Sequence, residues 1–185
     1  MIRLFDLALS FFGLIVLAPV LLLLTGLLWL DSRSPFFYQT RLGRNRREFT
    51  VVKFRTMRLD TADMPTHLVA SSSVTPLGRL LRRTKLDELP QLWNVLLGDM
   101  SLVGPRPGLP SQHELTAARE RMGVFAVRPG ITGLAQLRGI DMSTPALLAA
   151  TDAEMIRRGS LREYFLMILR TVLGQGAGDR VRPRD

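Results

Sequence analysis

The chain has 185 residues and a formal net charge of +9, from 25 basic and 16 acidic residues. This length is enough for one domain with a core, and the charge favours an anionic partner: phosphates, nucleic acid or an acidic membrane surface. The absence of cysteine excludes disulfides, thiolate nucleophiles and zinc–thiolate sites. His67 and His113 lie far apart and form no HExxH pattern, which argues against a zinc hydrolase. Any chemistry is therefore left to carboxylates and cations.

Residues 7–30 form an uncharged run of 24 residues, longer than the ~20 that a helix needs to cross a bilayer. The run is too long for the apolar part of a signal peptide, and no small-residue cleavage site follows it. Arg3 precedes the run, and five arginines follow: Arg33, Arg41, Arg44, Arg46 and Arg47. Positive flanks resist translocation, and Pro19 permits a bend. The pattern predicts a re-entrant membrane hairpin, helix-break-helix, over residues 1–32. A simple span with the N-terminus outside is the alternative.

Two extended segments follow the apolar run. Residues 36–38 carry aromatics suited to the membrane interface or to a short strand, and residues 49–57 resemble a strand. A turn at residues 42–45 between them predicts a β-hairpin. Alternation along the second strand places Lys53 and Arg55 on one face. These two cations are candidates for holding a diphosphate, and a solvated basic face explains them equally well.

The remaining elements predict an α+β protein, mostly helical with a small β-hairpin or sheet, in which amphipathic helices lie at the membrane interface. Residues 60–74 are polar and without period, which predicts a loop that closes over a substrate. Apolar spacing predicts further helices at residues 77–81, 112–122, 146–157 and 161–172. The last of these carries an apolar stripe typical of a core helix. We expect residues 33–173 to form a cytosolic domain apposed to the membrane, and residues 174–185 to form a flexible tail.

The central stretch, residues 84–107, places Asp87 and Glu88 just ahead of Pro90. Proline is tolerated in the first turn of a helix, so the two carboxylates lie at a helix start. Thr84 lies three residues before Asp87, so a capping box is the simpler explanation of this acid pair. The surrounding cations favour instead a site for anions and a metal: Arg79, Arg82, Arg83, Lys85 and Arg106. The helix that follows carries its apolar residues on one face: Leu89, Leu92, Trp93, Leu96 and Leu97.

These residue types suit attack on a diphosphate. Mg²⁺ takes oxygen ligands from one or two carboxylates plus substrate phosphates, which matches Asp87 and Glu88. A carboxylate such as Asp87 can attack phosphorus without a base to remove a proton. Arg106, braced by prolines on both sides, can offer a planar fork to a phosphate. A basic membrane-surface binding protein is the alternative function. A membrane-anchored nucleic-acid-binding protein is a third candidate function, but the sequence contains no recognisable nucleic-acid-binding module.

Several ordered motifs resemble the small monotopic phosphoglycosyl transferases, a bacterial sugar transferase family: RLFDLALS, KFRTM, GRLLRRTKLDELPQLWNVLLGDMSLVGPRP and RPGITGLAQ. The resemblance covers nearly the whole chain. It implies a polyprenyl-phosphate phosphoglycosyl transferase that transfers a sugar-1-phosphate from a UDP-sugar, N-acetylated or deoxyamino, to undecaprenyl phosphate. The expected reaction gives a polyprenyl-diphosphate-sugar and UMP through a covalent aspartyl phosphosugar intermediate, and it initiates lipid-linked glycan assembly. The resemblance also implies a place on the cytoplasmic face of the bacterial inner membrane. The basic residues between Arg41 and Arg58 predict contact with anionic membrane lipids, and no nucleic-acid partner is expected. The sequence leaves open whether the protein forms a homo-oligomer.

The resemblance also assigns roles to residues. In that family the Asp of the Asp-Glu pair is the nucleophile and Mg²⁺ is required, and these roles fall on Asp87 and Glu88 as catalytic and metal-binding residues. The same correspondence places Lys53, Arg82 and Arg106 at the active site, and strand alternation adds Arg55 as a fourth phosphate-binding candidate. Candidate nucleotide or sugar contacts lie in the loop and turn that follow: Arg128, Gly130, Thr132 and Gln136.

The chain departs from the family pattern at two places. Ala18 stands where many members have serine before the proline of the membrane helix, so no hydroxyl supports the predicted break there. Ile140 stands after Gly139 where many members have arginine, while Arg138 precedes that glycine. We therefore expect a different pattern of sugar contacts at this loop. We also expect the chain to be the minimal catalytic module of the family.

Overall fold

A computed structural model describes residues 1–61 and 73–176. The loop predicted at residues 60–74 lies largely outside these ranges, and so does most of the tail predicted at residues 174–185. Within the described ranges the helices are α1 Ile2–Ser32, α2 Pro76–Thr84, α3 Gln91–Leu97, α4 His113–Arg121, α5 Leu134–Leu137, α6 Pro145–Arg157 and α7 Leu161–Val172. The strands are β1 Phe36–Leu42, β2 Glu48–Phe54, β3 Ser101–Val103 and β4 Gly130–Thr132. The prediction of a mostly helical α+β protein is confirmed.

The N-terminal helix α1 is long and apolar enough to cross a membrane. It continues through Pro19 as one helix, so the break predicted at this residue does not interrupt it. Proline removes a single backbone hydrogen bond, and the bonds on either side maintain the helix. At 31 residues, α1 is about 46 Å long. At the C-terminal end of α1, Arg33 lies just beyond the helix and adopts a left-handed backbone conformation.

Both ends of α1 pack against the rest of the fold. Near its N-terminus the buried carboxylate of Asp6 accepts hydrogen bonds from Ser101 Oγ at 2.9 Å and from Tyr164 Oη at 2.8 Å. Burial raises the pKa of the Tyr164 phenol, and the hydrogen bond to Asp6 raises it further. Near the C-terminus of α1, Leu24 and Leu28 join a buried apolar cluster with the second strand and α2. The helix is therefore attached to the globular part at two distant points.

The predicted hairpin is present. Strands β1 and β2 pair antiparallel from Phe36 opposite Phe54 to Leu42 opposite Glu48. The two faces of β2 meet different layers of the protein: Val51 packs with α3 and β3, while Phe54 packs with α1 and α2. Because side chains alternate along a strand, Lys53 shares the Val51 face.

A parallel pair, β3 with β4, was not predicted from the sequence. Each strand has three residues, too few for an alternating pattern to be recognised. Their close approach depends on glycine, because a Cβ on Gly130 would lie 2.0 Å from the backbone nitrogen of Gly104. This pairing brings the segment after β3 against the loop before β4.

The apolar faces of α3 and α7 are not fully buried. Trp93 and Leu97 of α3 are 54% and 62% exposed, because the buried side of this helix is formed by Gln91, Asn94 and Val95. On α7, Phe165 and Leu169 are exposed as well, and the Phe165 ring lies 5.1 Å from that of Phe5 on α1. The core assignment of the α7 stripe was therefore wrong for its outer residues. Their exposure beside α1 fits the predicted interfacial amphipathic helices.

Candidate active site

The two acidic residues of the central stretch lie in a short 3₁₀ turn, Leu86–Glu88, between α2 and α3. Asp87 and Glu88 are only 4% and 5% exposed. Lys85 adopts a left-handed conformation with φ of 59° and ends α2, so the chain turns sharply into this segment. Buried carboxylates need charged or hydrogen-bonding partners, and the surrounding elements supply them.

The capping box predicted at Thr84 is absent. The Thr84 hydroxyl donates back to the carbonyls of Leu80 and Leu81, at 2.9 and 3.1 Å. Thr84 is the last residue of α2 and therefore has a helical backbone, which an N-cap residue does not have. The simpler explanation of the acid pair as a helix cap was wrong in this respect, although α3 does begin soon after the pair.

Glu88 lies between two cations that the sequence places far apart. Its Oε1 accepts a hydrogen bond from Arg106 Nη2 at 2.7 Å and one from Lys53 Nζ at 3.4 Å. Both basic side chains are mostly buried. Charges act more strongly on one another here than at a solvated surface. The structure thus brings Lys53, Glu88 and Arg106 together next to Asp87.

Asn94 fixes the position of β2 relative to the carboxylates. Its side chain is buried and bonds twice to the strand backbone, receiving from Val52 N at 3.0 Å and donating to Thr50 O at 2.7 Å. The amide acts as a short strand partner at this edge of β2. Because Asn94 belongs to α3 and Lys53 to β2, these bonds hold Lys53 opposite the turn that carries Glu88. Sequence reasoning missed this residue, since an isolated asparagine in a helix carries no distinctive signal.

The other two predicted phosphate-binding residues are placed differently. Arg82 on α2 donates from Nε to Thr56 Oγ1 at 2.7 Å, just past the end of β2. Arg55 turns instead to the start of the hairpin, where it donates to the carbonyls of Ser34 and Phe36, each at 3.0 Å. The structure therefore brings Lys53 and Arg106 to Glu88 and directs the Arg55 guanidinium elsewhere.

The predicted nucleotide and sugar contacts divide into two groups. Arg128 donates to the Gly98 carbonyl at 2.8 Å, and Gly130 serves the close contact of β3 with β4. Thr132 and Gln136 border a small cavity of about 10 Å³ that Glu88 also lines. Within the described residues, Oε1 of Gln136 is buried without a hydrogen-bond partner. An acceptor of this kind suits a water or a substrate hydroxyl.

The donor set around the acid pair fits Mg²⁺ in one specific way. Within residues 1–61 and 73–176 no group of three or more His, Asp or Glu side chains could hold a metal by itself. Mg²⁺ is usually bound by one or two carboxylates, with water and substrate phosphates completing its octahedron. Asp87 and Glu88 match that requirement. The chemistry of the pair therefore suits a metal that binds together with a phosphate-bearing substrate.

The described residues also line an apolar groove of about 320 Å³. It lies between α1, the hairpin and α3, and Pro90, two residues after Glu88, forms part of its wall. Its other walls include Leu14, Leu21, Phe36, Val52 and Trp93. The groove continues the exposed apolar surface of α1, where many large side chains face outward. Pro90 thus connects the segment that carries the buried acid pair to a surface suited to lipid.

Together, the apolar helix and the buried acid pair with its cations define a membrane-associated protein with a buried site that combines carboxylates and cations. Residues 1–175 match the family described as bacterial sugar transferase. The chain belongs to this family, as its motifs indicated.

Three relatives illustrate the similarity. The chain is 40% identical over 195 aligned residues to the undecaprenyl-phosphate glucose phosphotransferase of Komagataeibacter xylinus, covering 95% of this chain and 36% of the relative. It is 42% identical to the UDP-glucose:undecaprenyl-phosphate glucose-1-phosphate transferase of Caulobacter vibrioides, covering 84% and 62% respectively. It is 44% identical to the exopolysaccharide production protein PSS of Rhizobium leguminosarum bv. phaseoli, covering 75% and 74%. The chain thus spans only about a third of the first relative and under two thirds of the second.

Proposed function

We propose that this chain transfers a sugar-1-phosphate from a UDP-sugar to undecaprenyl phosphate, releasing UMP. The observation that carries the proposal is the buried Glu88 carboxylate held by Lys53 and Arg106 beside Asp87, with an apolar groove whose wall includes Pro90, two residues further along the chain. A diphosphate repels an anionic nucleophile, so a site that cleaves it needs preorganised positive charge. The names of the relatives in K. xylinus and C. vibrioides specify the same class of reaction.

The first step is the attack of an Asp87 carboxylate oxygen on the sugar-linked phosphorus of the donor. A bond forms between that oxygen and phosphorus, and the bond from phosphorus to the bridging oxygen breaks. UMP leaves with the electron pair, and the sugar phosphate stays on Asp87 as an acyl-phosphate. Lys53 and Arg106 lie where they can neutralise the charge on the phosphate oxygens. Glu88 orients both cations through its Oε1 atom.

In the second step the acceptor phosphate attacks the phosphorus of that intermediate. The bond to Asp87 breaks, the carboxylate is regenerated, and a polyprenyl-diphosphate-sugar is formed. The apolar groove that includes Pro90 suits the isoprenoid chain of the acceptor, because its walls are nearly all apolar and Pro90 follows Glu88 by two residues. In this arrangement the phosphate of the acceptor lies at the charged site and its isoprenoid chain lies in the groove.

Mg²⁺ belongs to the proposal as the cofactor. When bound, it neutralises phosphate charge and helps to orient the donor. Asp87 and Glu88 are the residues that would hold it, with the remaining positions filled by substrate oxygens and water. Asp87 and Glu88 would therefore supply both the nucleophile and the protein ligands of the metal.

The packing of α1 supports a monotopic arrangement on the cytoplasmic face. A helix that spans the ~30 Å hydrocarbon core has its two ends on opposite sides of the membrane. Here Asp6 near one end and Leu28 near the other both contact the globular part. With basic residues beyond both ends of the apolar run, the positive-inside rule favours the cytoplasm for each. We therefore infer that α1 enters the membrane without crossing it.

The identity of the sugar is proposed from the family. An N-acetylated or deoxyamino sugar remains our prediction, while the relatives are named for glucose and, in Erwinia amylovora, galactose. Thr132 and Gln136, whose Oε1 has no hydrogen-bond partner among the described residues, are two of the polar residues that line the small cavity beside Glu88, and we infer that they contact the sugar hydroxyls. A donor panel that includes UDP-glucose, UDP-galactose and UDP-N-acetylated sugars tests this choice.

The decisive experiment separates the two steps. Purified protein is incubated with the UDP-sugar and Mg²⁺ but without lipid, and intact mass spectrometry is combined with measurement of released UMP. We expect one equivalent of UMP and a mass increase equal to one sugar phosphate. Asp87→Asn removes the anionic oxygen and should abolish the adduct, whereas the exposed Glu120→Gln should form it normally.

The possible outcomes distinguish the alternatives. An adduct on a residue other than Asp87 would overturn the assignment of the nucleophile. Turnover that requires both substrates, with no adduct, would indicate direct attack by the lipid phosphate. No UMP release from any donor, with or without undecaprenyl phosphate, would leave the alternative function of a basic membrane-surface binding protein.

A further inference from the structure

The segment that carries Arg106 is held by an unusual set of backbone contacts. Residues 105–108 belong to no helix or strand, and three of the four are buried. A buried carbonyl without a partner is costly. Here every carbonyl accepts a hydrogen bond from a residue outside the segment: Pro105 from Gly130 N at 2.9 Å, Arg106 from Arg119 Nη1 at 2.8 Å, and Pro107 and Gly108 from Arg41 Nη1 and Leu42 N of β1, at 3.1 and 2.9 Å.

Two of these four donors are side chains, and the first is Arg119 on α4. Its side chain is 3% exposed, and that of its partner Asp152 on α6 is 2% exposed. Nε and Nη2 of Arg119 both donate to Oδ2 of Asp152, at 2.9 and 2.7 Å. The guanidinium is planar and rigid. Once Asp152 fixes one edge of it, Nη1 has a defined direction toward the Arg106 carbonyl.

The second side-chain donor is Arg41 on β1. It is buried, with Nη1 on the Pro107 carbonyl and Nη2 on Oε1 of Gln39. Two arginines from separate elements thus hold consecutive carbonyls, one belonging to Arg106 and the other to the proline that follows it. Neither of these two hydrogen bonds involves Glu88.

We propose that Arg41 and Arg119 are positioning residues that act on the reaction through Arg106. By holding the backbone at and just after Arg106, they direct its guanidinium to Glu88 and to the substrate phosphate. The inference rests on the proposed function, in which Arg106 binds phosphate. A misplacement of about 1 Å in such a group can cost on the order of 100-fold in rate, so a lost carbonyl contact should be visible in catalysis.

A double-mutant cycle tests whether Arg119 acts through Arg106. Arg119→Lys keeps a positive charge beside Asp152, but one ammonium cannot reproduce the fork that reaches both Asp152 and the Arg106 carbonyl. We expect this substitution to lower kcat/KM for the donor, and to weaken the binding of UDP measured by calorimetry, by about tenfold. In an Arg106→Ala background the same substitution should change either quantity by less than about twofold, because coupled residues are non-additive.

A matched control residue contacts the same helix from outside. Arg46 forms an ion pair at 2.7 Å with Glu120, the neighbour of Arg119, and both side chains are more than half exposed. Arg46→Lys should change neither turnover nor UDP binding in either background. Thermal unfolding of all variants is measured alongside, since a purely structural role lowers stability equally with and without Arg106.

Equal losses in both backgrounds would overturn the proposal. If Arg119→Lys does not fold, Arg41→Met is used in the same cycle, because it removes the Pro107 contact while it leaves the Arg119–Asp152 pair intact. Failure of the wild-type protein to release UMP would count against the proposed function. The cycle in UDP binding can still be interpreted in that event, because it requires no turnover.

Discussion

Nη2 of Arg106 lies 2.7 Å from Oε1 of Glu88, and this contact joins two motifs that are 18 residues apart in the sequence. Both side chains are largely buried. The geometry is that of a charge-assisted hydrogen bond. The Glu88 carboxylate thus orients the guanidinium of the proline-braced Arg106, which binds phosphate in the proposed reaction.

Arg106→Lys should therefore reduce turnover strongly without unfolding the protein. Lysine keeps the charge but cannot serve Glu88 and a phosphate with one planar fork. Loss of one preorganised donor typically costs about 10²–10³-fold in kcat. Steady-state measurements of UMP release would show it. Arg162→Lys on the exposed side of α7 is the control, and a similar loss there would contradict the assignment.

Removal of divalent metal should abolish UMP release and formation of the adduct together. Both events belong to the first proposed step, which brings phosphate charge to Asp87 and Glu88, and the two carboxylates repel that charge unless a cation neutralises it. Treatment with EDTA followed by titration with Mg²⁺ would show loss and recovery. Full activity in EDTA would contradict the proposed cofactor.

Cysteine labelling tests the placement of α1. The natural chain has no cysteine, so single substitutions at the exposed positions Leu4 and Asp31 give unambiguous signals. In intact cells a membrane-impermeant maleimide should label neither position, and both should react after the inner membrane is permeabilised. Labelling of Leu4→Cys alone in intact cells would indicate a spanning helix with its N-terminus outside.

Trp93 should affect the lipid acceptor selectively. It forms part of the apolar groove, so Trp93→Ala should raise KM for undecaprenyl phosphate severalfold and leave the lipid-free release of UMP unchanged. Trp29, the other tryptophan of the chain, is exposed on α1 and provides the matched control Trp29→Ala. Equal effects of both substitutions would indicate general membrane binding and not a defined acceptor groove.

The bond between Tyr164 and Asp6 should matter for stability and for its dependence on pH. Tyr164→Phe removes a hydrogen bond to a charged group, worth about 1.5–3 kcal/mol. Because the folded-state pKa of Tyr164 is raised, the unfolded chain releases this proton first. The stabilisation is present below about pH 10 and is lost as pH rises further. Unfolding followed by fluorescence at pH 8 and above pH 10 should show this loss in the wild type and a weaker one in Tyr164→Phe. An identical pH dependence would contradict the assignment.

The sequence by itself determined the features that depend on local pattern. The apolar run predicted a membrane helix, although with a break at Pro19 that α1 does not have. Alternation predicted the hairpin, and residue pattern predicted α2, α4, α6 and α7. Within the acid motif, Pro90 and Gly98 marked the limits of α3, and Gly98 indeed ends it with φ of 97°. The family was evident from ordered motifs, because their residues lie close together along the chain. Local sequence carried these properties since each depends on neighbouring residues alone.

Only the tertiary structure decided which cations serve the carboxylates. Lys53 and Arg55 are equivalent in the strand pattern, yet Lys53 reaches Glu88 and Arg55 reaches Ser34 and Phe36. The difference arises because Asn94 of α3 holds the middle of β2, whereas Arg55 lies just past its end. The supporting contacts of Arg41 and Arg119 were equally hidden. In the sequence, Arg41 is 66 positions from its acceptor Pro107, and Arg119 is 13 positions from its acceptor Arg106. Long-range contacts of this kind leave no periodic signal in a single sequence.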